Sequence, residues 1–114
     1  MICDTSTIKP SASAKFYADA KKHGLTFCDT PMSGGVTGAE RQTLTFMVGG
    51  TEEEFEHAKK VLCGMGTNLF HCGDPGMGEV AKLTNNLILG ISMVATSEGM
   101  AIGEKLGIDP KKLQ

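Results

Sequence analysis

The stretch Gly76-Met77-Gly78-Glu79-Val80-Ala81-Lys82-Leu83-Thr84-Asn85-Asn86, running on to Leu106, decides how the rest of the chain is read. Past its two glycines it meets no proline until Pro110 and reads as one long helix. Val80, Leu83, Leu87, Ile91, Val94, Ile102 and Leu106 keep to steps of three, four or eight and share one face. Ile88, Leu89, Met93 and Met100 fill the other sides, so the helix is expected to be buried over most of its surface. From Glu79 to Leu106 it would be about 40 Å long at roughly 1.5 Å per residue, enough to cross a small domain. Lys82 and Asn86, four apart near its start, stack on one face. Two readings of that pair stand here. A desolvated lysine shifts its pKa readily and suits general acid/base work, with the amide one turn on orienting its substrate. A lysine snorkelling from the first turn beside a solvated asparagine has the same spacing.

Composition narrows the function classes. The 114 residues leave room for one modest domain or parts of two. A net charge of −2 and dispersed lysines form no basic stripe, which argues against a nucleic-acid partner. Cys3, Cys28, Cys63 and Cys72 form no C-x-x-C pair, so neither a metal site nor a disulfide scaffold is expected. They read as reduced, mostly buried or half-buried thiols of an intracellular protein. No secretory or transit segment opens the chain. Ser92, Thr96, Ser97 and Glu98 interrupt the longest apolar run and argue against a membrane span. A strand already ending at Met1-Ile2-Cys3-Asp4, and a helix start at Asp109-Pro110, give the chain the look of a fragment.

Upstream of the long helix the order is strand, helix, strand. A strand end at Met1–Asp4 leads through the hydroxyl-rich Thr5-Ser6-Thr7-Ile8-Lys9-Pro10 into a helix over about Ser11–His23. Phe16 and Tyr17 are its expected inner residues and Gly24 its stop. Leu25–Asp29 is the next strand, which implies a βαβ unit and a parallel sheet. A long loop, Thr30–Gln42, follows that strand's carboxyl end, where open α/β sheets bind ligands. Within it Gly34 and Gly35 allow close backbone approach and Ser33 brings a hydroxyl, a pattern an ordinary surface turn shares. Thr43–Val48 alternates as a strand. Thr51 and Glu54 form a capping box for an acidic-fronted helix reaching about Cys63. Asn68–Cys72 is the last strand, with His71 a packing residue rather than a ligand. Gly73-Asp74-Pro75-Gly76 is the expected linker between residues 1–75 and 76–114.

Four stretches taken together resemble the β-hydroxyacid dehydrogenase family. They are Asp4-Thr5-Ser6-Thr7-Ile8, Asp29-Thr30-Pro31-Met32-Ser33-Gly34-Gly35-Val36, Leu44-Thr45-Phe46-Met47-Val48-Gly49-Gly50, and Gly76-Met77-Gly78 through Lys82 and Asn86. The likeness continues through Ser97-Glu98-Gly99-Met100 to Leu106-Gly107-Ile108-Asp109-Pro110 and so covers the chain. It implies an α/β fold: the C-terminal part of a Rossmann-like, doubly wound sheet (1–75), then the first long helix of an all-α domain (76–114) that carries substrate and dimer contacts. By that resemblance Lys82 is the catalytic acid/base and Asn86 helps bind substrate. Ser33, Gly34 and Gly35 hold the substrate carboxylate, and Thr7 lies beside the cofactor, NAD.

The implied reaction is NAD-dependent oxidation of a small 3-hydroxy acid. The Lys-x-x-Asn-Asn run points to 3-hydroxyisobutyrate, giving methylmalonate semialdehyde in valine breakdown, before tartronate semialdehyde. The parent is expected to be a homo-oligomer, in the mitochondrial matrix of a eukaryote or the cytoplasm of a bacterium. Gln42 departs from the family, which usually has glycine before the Thr-Leu-Thr strand. No G-x-G-x-x-G follows a strand, so that turn would lie before Met1, and the isolated chain is expected to bind NAD poorly and to be inactive. The alternative from another class is a non-catalytic binding or assembly module using the long helix as a surface.

Overall fold

Strand β1 (Ile2–Asp4), helix α1 (Pro10–Lys22) and strand β2 (Phe27–Asp29) form the expected βαβ unit. Ile2, Cys3 and Asp4 stand beside Phe27, Cys28 and Asp29 in parallel register. The computed structural model describes residues 1–113. Pro10 opens α1 where its fixed φ suits the first turn. Gly24, at φ +68°, closes it, with the Gly24 and Leu25 amides donating to the Lys21 and Ala20 carbonyls. The inner face of α1 is Ser13, Tyr17 and Ala20. Phe16, expected inside, is exposed. It lies about 100° round the helix from Tyr17, whose hydroxyl donates to Glu54 Oε1 at 3.2 Å and fixes which side turns inward.

The segment 30–42, expected as a loop, is ordered into strand β3 (Met32–Ser33) and helix α2 (Gly35–Glu40). Its first part continues β2 along strand β4 (Leu44–Gly49) in one antiparallel register. Asp29 is opposite Gly49, Met32 opposite Phe46, and Ser33 opposite Thr45. Pro31 interrupts the pairing because it lacks an N–H, yet its carbonyl accepts from the Met47 amide at 3.0 Å. The sheet is therefore mixed, where the βαβ spacing alone pointed to a parallel one. Helix α3 (Glu52–Leu62) leads from β4 to strand β5 (Gly66–Gly73), parallel to β4. The Thr51/Glu54 capping box is present in full: the Glu54 amide donates to Thr51 Oγ1 and the Thr51 amide to Glu54 Oε2.

Alternation along β4 buries Leu44, Phe46 and Val48, which pack with Cys28 and with Phe55, Ala58 and Leu62 of α3. Each large side chain buried there contributes about 1.5–3 kcal/mol. His71 is a packing residue, as its place on a strand suggested. Its ring stacks on Phe55 at 5.1 Å, its Nε2 donates to the Gly50 carbonyl at 2.7 Å, and Nδ1 lies 3.0 Å from Glu52 Oε2.

Helix α4 (Met77–Lys105) is continuous, as its pattern predicts. The chain divides into two compact units, Met1–Leu83 and Thr84–Gln114, with the division falling inside this helix. In the second unit the Gly107 and Ile108 amides donate to the Glu104 and Gly103 carbonyls and end the helix. Asp109 then caps a 3₁₀ turn, Pro110–Lys112, where a helix start was expected. The expectation of burial fails for this unit: Leu87 is 63 % exposed and Leu106 83 %. An all-round apolar helix needs cover on every side. Here Ile108 and Leu113 fold back against it near Gly103. By length and composition α4 could cross a membrane, at a mean hydropathy of 1.2.

Among the described residues Gln42 is the one non-glycine at positive φ, +58°, at the position where the family resemblance leads one to expect glycine. A left-handed residue with a Cβ costs about 1–2 kcal/mol. Gln42→Gly should therefore stabilise the chain by about 0.5–1 kcal/mol, after the added unfolded-state entropy is subtracted. Denaturant midpoints at fixed m-value would read this, and a destabilised variant would rule the strain out.

Candidate functional site

The carboxyl ends of β1 and β2 carry the candidate site, and the Asp29 carboxylate organises it. Asp29 is 1 % exposed, and two backbone amides bind it from far along the chain. Gly76 donates to Oδ1 at 2.7 Å and Glu79 to Oδ2 at 2.9 Å. The Glu79 amide belongs to the first turn of α4, and Gly76 immediately precedes its first residue, Met77. Asp29 is its cap, and its negative charge suits the positive end of the helix. Two glycines make the approach possible. A Cβ on Gly78 would strike the Met47 carbonyl and stand 2.7 Å from Asp29 Oδ2. A Cβ on Gly49 would strike the same carboxylate from the β4 side. The Gly-x-Gly before Lys82 is thus a packing requirement.

Glu79 is fully buried beside Asp29. Its Oε2 accepts from the Ile8 amide at 3.1 Å, which ties the loop 5–9 to α4. Its Oε1 is buried without a hydrogen-bond partner among the described residues. Burial, and after it the Asp29 and Asp4 carboxylates, push the Glu79 carboxyl above the usual carboxylate range, against the Ile8 amide, which lowers it.

Lys82, Ser33 and Thr7, named from sequence, lie on segments joined to this pair along the chain or through the Ile8 amide. Lys82 is half-buried one turn beyond Glu79, with no ion-pair partner among the described residues. Asn86 follows four residues on along α4 and is exposed. Ser33 is half-buried at the end of β3, four residues past Asp29. Gly34 and Gly35 are exposed at φ +136° and +60°, turning the chain into α2. Thr7 is exposed in the loop that Glu79 holds through Ile8. No hydrogen bond joins Lys82, Ser33 and Thr7 directly among the described residues; backbone attachments to Asp29 and Glu79 bring their segments together. Sequence reasoning missed Asp29 and Glu79. The available signal was an acid closing an apolar strand and another just inside a helix that starts with two glycines.

No group of three or more potential ligands that could hold a metal occurs among the described residues. All four cysteines are free: Cys28 is buried, Cys3 and Cys72 are half-buried, and Cys63 is exposed. Burial first, then the neighbouring Cys3, Glu54 and Asp29, pushes the Cys28 thiol up to about 12, so it is no nucleophile at neutral pH.

A mixed α/β sheet of this kind, with its candidate residues at strand ends and followed by a long lysine-bearing helix, is a Rossmann-like fold. The chain belongs to the family described as the NAD binding domain of 6-phosphogluconate dehydrogenase, whose model matches residues 1–73. Residues 76–114 match the model described as NAD-binding of NADP-dependent 3-hydroxyisobutyrate dehydrogenase. A probable mitochondrial 3-hydroxyisobutyrate dehydrogenase of Dictyostelium discoideum is 56 % identical over 99 % of this chain and 35 % of its own length. The mitochondrial 3-hydroxyisobutyrate dehydrogenase of Bos taurus is 49 % identical over 99 % of this chain and 34 % of its length. Among solved structures, a Mycobacterium tuberculosis 3-hydroxyisobutyrate dehydrogenase with L-serine aligns at TM-score 0.90 and 41 % identity. That alignment covers 94 % of this chain and 37 % of the other. The chain spans about a third of the length of the curated relatives it matches.

Two outcomes test the Asp29–Glu79 pair. Gly78→Ala should destabilise the chain by about 3 kcal/mol, because neither the Met47 carbonyl nor the buried Asp29 can give way freely. Unfolding of the variant at wild-type denaturant concentration would show that α4 shifts freely and is not held. The second outcome concerns pH. The folded chain holds the Glu79 proton more tightly than the unfolded chain does. That stability is complete below the ordinary carboxylate range and is lost as pH rises through the higher folded value. Glu79→Gln cannot ionise, so its midpoint should gain on wild type as pH is raised from about 4 to about 8. A constant difference across that range would show that Glu79 titrates normally.

Proposed function

We propose that the chain is part of an NAD-dependent dehydrogenase oxidising 3-hydroxyisobutyrate to methylmalonate semialdehyde, a step of valine breakdown. In this reading residues 1–75 belong to the dinucleotide-binding domain and 76–114 begin the helical domain, whose remainder supplies homo-oligomer contacts. The observation that carries it is the placement of Lys82, half-buried, one turn past a helix start fastened to the strand end that leads into Ser33-Gly34-Gly35. The exposed glycine backbone and the Ser33 hydroxyl suit a carboxylate, which accepts hydrogen bonds from both. Asn86, on the same face of α4 as Lys82, suits a substrate oxygen.

The chemistry follows from those groups. In this role the Lys82 amine takes the proton of the substrate hydroxyl, while the carbon gives up a hydride and becomes a carbonyl. NAD, when bound, supplies the hydride acceptor. The loop 5–9 fits it in part: it leaves the carboxyl end of β1 with Ser6 and Thr7 exposed, where such sheets take ligands. No glycine-rich phosphate turn occurs in these residues. The partners are accordingly a small hydroxy acid and the dinucleotide, with no nucleic acid or membrane. The eukaryotic relatives carry mitochondrial names, and the matrix is the proposed site if the source is eukaryotic, the cytoplasm if bacterial. The exposed apolar faces of α4 favour a second reading, an assembly module without catalysis.

The experiment measures NAD reduction with 3-hydroxyisobutyrate in a protein carrying this chain at the relatives' full length. Lys82→Ala should lower kcat by about 100- to 10,000-fold with the fold intact, as loss of a general base does. The 114-residue chain alone should be inert. Wild-type turnover in Lys82→Ala, or none in wild type, would favour the module.

A further inference from the structure

The role of Glu79 goes beyond packing. It is the one residue bonded both to the loop carrying Thr7 and to the carboxylate that caps α4. Its Oε2 accepts from Ile8, 71 residues away, and its amide donates to Asp29. Among the described residues no other side chain hydrogen-bonds the loop 5–9 to α4. Glu79 also stands one turn before Lys82 on a rigid helix. We propose that Glu79 is a positioning residue of the reaction: its buried carboxyl clasps the loop carrying Thr7 to the helix carrying Lys82, and so fixes the dinucleotide relative to the base. The inference rests on the dehydrogenase reading and deepens it.

Chemistry explains why a carboxyl suits this place. Glu79 needs one acceptor oxygen for the Ile8 amide, and its surroundings are buried and already hold the Asp29 charge. An amide offers the same acceptor, whereas a thioether fills the same volume and accepts almost nothing. Glutamine and methionine at position 79 therefore separate hydrogen bonding from packing.

The test uses the protein at the relatives' full length. Glu79→Met should raise KM for NAD about tenfold, the worth of one buried hydrogen bond, with kcat and KM for the hydroxy acid within about threefold. Glu79→Gln should stay within about twofold of wild type in all three. Equal kinetics for Met and Gln would overturn the proposal, as would a loss confined to kcat. Amide exchange at Ile8 in the 114-residue chain reads the clasp without activity. It should quicken about tenfold in Glu79→Met and keep its wild-type rate in Glu79→Gln. Unchanged exchange in Glu79→Met removes the clasp. If wild type oxidises no hydroxy acid, the functional reading falls and the positioning role falls with it, whatever Ile8 shows.

Discussion

One carboxylate fixes the geometry on which the rest depends. Asp29 leaves the end of β2 and accepts two amides from the start of α4, so a strand end and a helix start separated by 47 residues become one joint. Both sides of the joint gain. The helix has its Glu79 amide, a first-turn donor, satisfied by a side chain from the sheet. The buried carboxylate has its charge met by two N–H groups and the positive end of the helix. Removing either partner would leave a buried polar group unpaired, which costs more than the bond contributes when formed.

The glycines follow from that joint. A Gly-x-Gly after a strand in a Rossmann turn brings backbone to a phosphate. Gly78 here brings backbone to protein: to the Met47 carbonyl, to Asp29, and to the Gly49 amide, each nearer than a Cβ allows. The motif before Lys82 therefore guarantees the position of Lys82 through sterics.

Local and repetitive features were legible in sequence. The period of three and four gave α4, the Thr51/Glu54 box gave the start of α3, and Gly24 gave the end of α1, because each depends on neighbours within a turn. The antiparallel run past Pro31 was not legible. Its pairing partner, β4, lies more than ten residues on, and proline with glycines reads locally as loop. The inward choice of Tyr17 over Phe16 depended on Glu54, 37 residues away. Lys82, Ser33 and Thr7 were found as members of motifs that the resemblance supplied. Asp29 and Glu79 were missed because a buried acid is legible only with its donors, and those come from the other end of the chain.

The same joint sets the surroundings of Lys82. Along α4 burial falls within two turns, from Gly78 and Glu79, which are buried, through Ala81 and Lys82, half-buried, to Asn85, exposed. A lysine one turn earlier would share the full desolvation of Glu79, and its ammonium would be held out of water next to two carboxyl groups. One turn later it would stand exposed to water, as Asn86 does. Proton transfer calls for a group that substrate can reach and that water does not fully control. By pinning residue 79 in the interior, Asp29 leaves residue 82 on that slope. The helix start thus determines where the lysine stands between interior and solvent.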